Sequence, residues 1–240
     1  MKILAFTDIH GSYLKVEKII KKDRADVVLI GGDLTNVGSI KEAEVAINQF
    51  QSVSKNLFAV TGNMDLPKHD DLFSHMGISL NGNGVIINGV GFFGASASPF
   101  SPLHTPNEVS EETILKMLKQ GYQEIKGTKI KIMVSHAPPY GTKVDITHSG
   151  IHVGSTAVRE FMEDKQPDIV ICGHIHEAKG QDVLGKTKIV NCGQAGKGYY
   201  ASIEVGDGIK ISNKECRWVR KLKLSSSTWV IHWLRLSISL

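Results

Sequence analysis

A chain of 240 residues, 41% hydrophobic and 22% charged, has the composition of a globular protein able to bury a full core in one large domain. Its formal charge of +4 does not mark a nucleic-acid binder: the stretch from Cys216 to Leu240 holds five basic residues (Arg217, Arg220, Lys221, Lys223, Arg235) and no acid, which leaves 23 basic against 24 acidic residues in the rest. No run is long and apolar enough to span a bilayer, Asp8 comes too early for a secretory signal, and Cys172, Cys192 and Cys216 form no CxxC, so free thiols in a reducing, cytoplasmic setting are expected.

In chain order, residues 2–6 predict a strand, Asp8-Ile9-His10-Gly11-Ser12 a loop, and 13–22, with Leu14, Val16, Ile19 and Ile20 at helical spacing, an amphipathic helix. The unit recurs as strand 27–30, a loop from Gly31 to Asn36 and helix 41–50, then as strand 57–60, the loop Thr61-Gly62-Asn63-Met64-Asp65 and a short helix over 67–76. Such alternation argues an α/β fold with a largely parallel sheet. Strands at 85–87 and 90–93 flank Asn88-Gly89, a hairpin signal, so antiparallel pairs are expected as well and the sheet is mixed.

Residues 95–106, rich in Ser and Pro, predict a long loop. Ser110 is placed to cap a helix over 111–120, and strand 129–135 runs into His136-Ala137-Pro138-Pro139-Tyr140-Gly141. Ser155 is placed to cap a helix to Asp164, closed by Pro167, and strand 168–172 leads into Gly173-His174-Ile175-His176. Ile189-Val190, 201–205 and 209–212 complete a β-rich end. The tail 216–240 differs in kind, since it holds all three tryptophans (Trp218, Trp229, Trp233). Its alternation over 234–240 reads as a pairing strand, possible in a homo-oligomer, or as a non-native extension to a domain spanning 1–215.

Just beyond strand ends stand Asp8, His10, Asp33, Asn63, His136, His174 and His176. Ligands of open α/β sheets bind at the carboxyl ends of strands, so five loops deliver these groups to one edge. Taken singly, each has an ordinary explanation as a turn former, a helix cap or a surface histidine. Their recurrence at one topological position has none, and side chains of these types are metal-competent.

The series Asp8-x-His10, Gly31-Gly32-Asp33, Gly62-Asn63, His136 and Gly173-His174-x-His176 resembles the calcineurin-like metallophosphoesterase family in order, residue type and approximate spacing. The resemblance covers residue 2 to about 205. It implies two mixed β-sheets packed face to face and flanked by helices. It also implies a site in which Asp8, His10, Asp33 and His176 hold one ion and Asp33, Asn63, His136 and His174 the other. The implied activity is hydrolysis of a phosphate ester, a small molecule or nucleotide, by a metal-bridging hydroxide, with Asp33, Asn63 and His136 at the chemistry. Imidazole and oxygen donors without thiolate suit two divalent transition metals, Mn foremost and Fe, Zn, Co or Ni also, better than Mg or Ca.

One position departs from the family. Many members carry His after the Gly-Asn, paired with the acid that follows, whereas this chain reads Met64-Asp65. A thioether transfers no proton. Leaving-group protonation then falls to another group, to a metal-bound water or to nothing, and a phosphodiester or activated ester is expected to outrun an alkyl monoester. Met64 can equally be a packing residue. His104, His148 and His152 lie in loops that would rim the site, as do Ser96-Ala97-Ser98-Pro99-Phe100 and Pro138-Pro139-Tyr140-Gly141 with Lys143. The competing readings are a phosphomonoesterase or protein phosphatase of the same fold and a catalytically weak scaffold module. No dedicated nucleic-acid motif and no membrane partner are expected.

Overall fold

The computed structural model describes residues 1–216. The predictions for the tail beyond Cys216 lie outside the described residues.

The elements follow in the order β1 (Lys2–Phe6), α1 (Tyr13–Asp23), β2 (Val27–Gly31), α2 (Ile40–Gln51), β3 (Leu57–Val60), α3 (Lys68–His75), β4 (Gly84–Ile87), β5 (Val90–Ala95), β6 (Ser98–Pro99) and β7 (Glu108–Val109). Then come α4 (Glu111–Ile125), β8 (Ile130–Ser135), α5 (Thr156–Lys165), β9 (Ile169–Cys172), β10 (Gly180–Leu184), β11 (Thr187–Asn191), β12 (Tyr199–Val205) and β13 (Ile209–Glu215).

Two mixed sheets result, a five-stranded one in the order β13-β12-β1-β2-β3 and a six-stranded one in the order β10-β11-β9-β8-β5-β4. β1, β2 and β3 are parallel, as are β5, β8, β9 and β11, while the outer pairs β12 with β13, β4 with β5 and β10 with β11 are antiparallel.

β2 and β9, central in their sheets, carry no polar side chain because both of their faces are covered. Side chains alternate along a strand, so Ile3 and Ala5 of β1 join Val27, Leu29, Phe92, Ile132, Val134, Ile169 and Ile171 in a core between the sheets. Leu4 and Phe6 turn the other way and meet Val16, Ile19 and Ile20 of α1 and Ile47 and Phe50 of α2. On the far side of the second sheet, Phe93, Met133 and Val170 pack against Ile114, Leu118, Val158 and Phe161 of α4 and α5. The order of layers is helix, sheet, sheet, helix.

The hydroxyls of Ser39, Ser110 and Ser155 accept the amides of Glu42, Thr113 and Val158, which starts α2, α4 and α5 where the sequence sets them. α4 runs on to Ile125, past the expected end at Gln120. Its Gly121 is no breaker: a Cβ there would meet the Asn83 carbonyl at 2.7 Å and Phe93 Cβ at 3.1 Å, so glycine is what lets the helix lie close on β4 and β5. The β10–β11 hairpin exceeds the expected Ile189-Val190, and β13 runs to Glu215 rather than Ser212. Among the described residues, no helix is long and apolar enough to cross a membrane.

Candidate metal centre

The carboxyl ends of β1, β2, β3, β8 and β9 carry all seven predicted residues, and hydrogen bonds between their loops draw them together. Asp8 N–H donates to the Gly32 carbonyl (3.1 Å) and His10 N–H to the Asp33 carbonyl (3.0 Å), zipping the first two loops side by side. Gly173 N–H donates to the His136 carbonyl (3.1 Å), and Asn107 N–H to the Asn63 carbonyl (3.1 Å). Asp8, His10, Asp33 and His174 all adopt positive φ, at 55°, 46°, 50° and 66°. Asp and His tolerate this region better than most residues, and such strain concentrates at functional sites.

Within the cluster, His176 Nε2 lies 3.1 Å from Asp8 Oδ1, while Asp33 Oδ2 sits between His10 Nε2 (3.7 Å) and His136 Nε2 (3.5 Å). Asn63 Oδ1 is 2.9 Å from both His136 Nε2 and His174 Nδ1. Asp8 and His136 are fully buried, and Asp33 and Asn63 nearly so. The His174 amide donates to both Asp8 oxygens, and the Met64 amide to Asp33 Oδ1 (2.8 Å). Gly62 lies so close to the Asp33 carboxylate that a Cβ would collide with it.

The hydrogen-bond pattern fits a cation. His136 Nδ1 donates to the Gly31 carbonyl (2.9 Å), so in the neutral ring Nε2 is an acceptor, and it faces the oxygens of Asn63 and Asp33, which are acceptors too. A cation among them would satisfy all three acceptors, and without a metal a proton on His136 Nε2 does so in part. Burial pushes His136 down, but the Asp33 carboxylate outweighs it and lifts the ring to about 9. Burial likewise raises Asp8, yet the hydrogen bond from His176 and the charge on His136 bring it down to about 2. His176 is raised by its bond to Asp8, and His174, buried beside His136, falls to about 4.

Two groups have donor atoms within 4.8 Å of one another and can hold a metal: Asp8 with His10 and His176, and Asp8 with Asp33 and His136. Asp8 belongs to both, whereas the resemblance assigned it to one ion alone.

Residues not foreseen hold the frame. Asp65, fully buried, accepts the amides of Leu34 (3.2 Å), Thr35 (2.8 Å) and Gly62 (2.9 Å) and the Thr35 hydroxyl (2.9 Å), clamping the loops that present Asp33 and Asn63. Asn107 Nδ2 bonds Thr61 Oγ1 (2.9 Å) and the Gly62 carbonyl (3.1 Å), and Asn191 Nδ2 bonds the Ile175 carbonyl (2.9 Å) between the two histidines. No periodic pattern flags such residues, although Asp65 stands within a motif that does.

The histidine nearest in sequence to Asp65, His69, cannot substitute for the missing one. It is fully buried, and its Nδ1 accepts the Leu66 amide (3.1 Å). Lys143 turns to Asp182 of β10, its amide 2.9 Å and its ammonium 4.0 Å from that carboxylate. Ser96 is structural, its hydroxyl accepting the Thr61 amide and donating to Asp70.

Two sheets between helical layers, with a cluster of His, Asp and Asn at their carboxyl edge, define a metallophosphoesterase fold. A family model described as calcineurin-like phosphoesterase matches residues 1–178, and the chain belongs to that family of metal-dependent phosphoesterases, whose site is dinuclear. An uncharacterized protein of Methanocaldococcus jannaschii is 35% identical over 197 residues, 80% of this chain and 87% of that one. Among solved structures, TT1561 of Thermus thermophilus aligns with a TM-score of 0.69 at 19% identity, covering 90% of this chain and 99% of that one. A dimetal phosphatase from Danio rerio aligns at 0.61 and 12% identity, covering 90% and 96%. At such identities these two show likeness of fold.

Proposed function

We propose that this phosphoesterase prefers phosphodiesters or activated phosphate esters to alkyl phosphomonoesters. Asp8, His10, Asp33 and His176 would hold one divalent ion and Asp33, Asn63, His136 and His174 the other, with Asp33 between them and Mn the first metal to try. Bound there, such a pair supplies Lewis-acid stabilisation of phosphate oxygens and water of lowered pKa. The protein's own part is placement. Gly31 fixes the tautomer of His136, the Met64 amide holds Asp33 Oδ1 so that Oδ2 is left to the histidines, and Asp65 locks both loops.

Met64 carries the diester preference. The side chain after Asn63 has no proton to give and no N–H to donate, and a phosphomonoester dianion, with one more charge than a diester, loses more from that. Val37, half exposed, donates its amide to the Met64 carbonyl (2.8 Å), so a second apolar residue stands beside Met64. The free cysteines fit a reducing cytoplasm.

The test is hydrolysis of bis(p-nitrophenyl) phosphate and p-nitrophenyl phosphate, with ethyl phosphate as the alkyl monoester, by the Mn-loaded protein and its Asp33→Ala variant. The diester is expected to be cut fastest and the variant to be inactive. A clear preference for ethyl phosphate would count against the reading. Tight metal without turnover of any ester would favour a scaffold.

A further inference from the structure

We propose that His152, held by Asp145, is the proton donor for the leaving group, the task Met64 cannot perform; this rests on the phosphoesterase reading above. Asp145 is fully buried in the loop that follows His136. One of its oxygens accepts the amides of Gly141 (3.0 Å) and Gly154 (3.1 Å), the other the amide of Thr142 (2.9 Å) and the ring Nδ1–H of His152 (2.7 Å). A carboxylate saturated in this way is fixed in place, and it fixes the ring in turn. Nε2 of His152 is left without a hydrogen-bond partner among the described residues, on a side chain 36% exposed.

The loop that carries the pair is tied to the loops that carry the metal centre. It leaves from His136, and Asn191 Nδ2 ties the Val144 carbonyl (3.2 Å), next to Asp145, to the Ile175 carbonyl (2.9 Å) between His174 and His176. Further along, the His148 amide donates to Glu177 Oε1 (3.3 Å). His104 and His148 lack such a brace: both are exposed, and neither ring makes a hydrogen bond among the described residues. A buried carboxylate behind an imidazole sets its tautomer and orientation, the arrangement that catalytic triads use.

In the step assigned to it, the water oxygen bonds to phosphorus as the bond from phosphorus to the alcohol oxygen breaks, and the Nε2 proton of His152 passes to that departing oxygen. Solvent takes the proton given up by the attacking water and reprotonates the ring.

The experiment uses Mn-loaded wild type, His152→Ala and His152→Gln on diesters whose leaving groups run from p-nitrophenol through phenol to methanol. General acids contribute roughly 10²- to 10⁴-fold, so the loss in kcat for His152→Ala is expected to grow with leaving-group pKa toward about 10²-fold or more at methanol. Metal content should be unchanged, and Gln, which can still donate to Asp145, should not restore the rate. Inorganic phosphate should shift the His152 Nε2 resonance in NMR of the wild type. Equal loss across leaving groups, rescue by Gln, an unshifted resonance or no loss would overturn the assignment. A wild type inactive on every ester would instead fail the phosphoesterase reading itself, and this proposal with it.

Discussion

The amide of His174 donates to both carboxylate oxygens of Asp8, 3.2 Å from each, joining the loop after β9 in one sheet to the loop after β1 in the other. Asp8 also meets His176, so one buried carboxylate takes part in both histidine contacts at the seam between the sheets.

In the metal-free protein, the contribution of the metal-centre residues to stability should be greatest near pH 6.5. His136, raised from 6.5 to about 9, contributes fully below 6.5 and loses that contribution as pH rises through 9. His174, lowered from 6.5 to about 4, costs stability as pH falls between those values, and Asp8, lowered from 3.8 to about 2, adds a further loss below 3.8. Thermal melts in EDTA from pH 3 to 9 check this. Saturating Mn should flatten the alkaline limb, and an alkaline limb that Mn leaves unchanged would contradict the assignment.

Asp65→Ala should destabilise the fold before it touches the chemistry. The amides of Leu34, Thr35 and Gly62 would lose a buried acceptor, at about 1 kcal/mol or more each, or about 3 kcal/mol in all. For a domain of this size that is a drop in Tm of roughly 6–12 °C. A shift under about 2 °C would show that water replaces the carboxylate.

Val37→Gly should stabilise. Val37 is β-branched, half exposed and held at a φ of 57°. Left-handed backbone costs an L-residue about 1–2 kcal/mol, more than the roughly 0.5–1 kcal/mol of extra chain entropy that glycine brings. Urea melts should move to a higher midpoint, and a lower one would mean that the isopropyl group packs on something of value.

A chain ended at Glu215 should keep its metal. Every candidate ligand precedes residue 177, and β13 closes at Glu215, paired with β12 from Tyr199↔Glu215 to Val205↔Ile209. Reduced metal content after truncation would give the tail a role in the site.

The candidate site was legible because it sits on a repeated grammar, a buried strand followed by a short polar loop, and all seven residues proposed for it fall in those loops. The two-sheet arrangement entered through the family resemblance, since strand periodicity alone does not say which sheet a strand joins. What escaped is what periodicity does not encode. Gly121 looks like a stop and is a contact surface, and the mixed run from Gly180 to Leu184 has no clean alternation because β10 is an edge strand. Asp145, in a loop, and Asn191, at the end of β11, are buried polar residues recognisable only once their partners are known. Lys143, on a loop read as rimming the site, has its amide on Asp182, and nothing in its own loop announces that acid.

The most direct test is elemental analysis of the purified protein and of His174→Ala and His176→Ala after loading with Mn and removal of excess. Two ions per chain are expected in the wild type, with His176→Ala weakening chiefly the ion shared with Asp8 and His10 and His174→Ala chiefly the ion shared with Asn63 and His136. A wild type that binds none, or equal loss of both ions in each variant, would contradict the two-ion assignment.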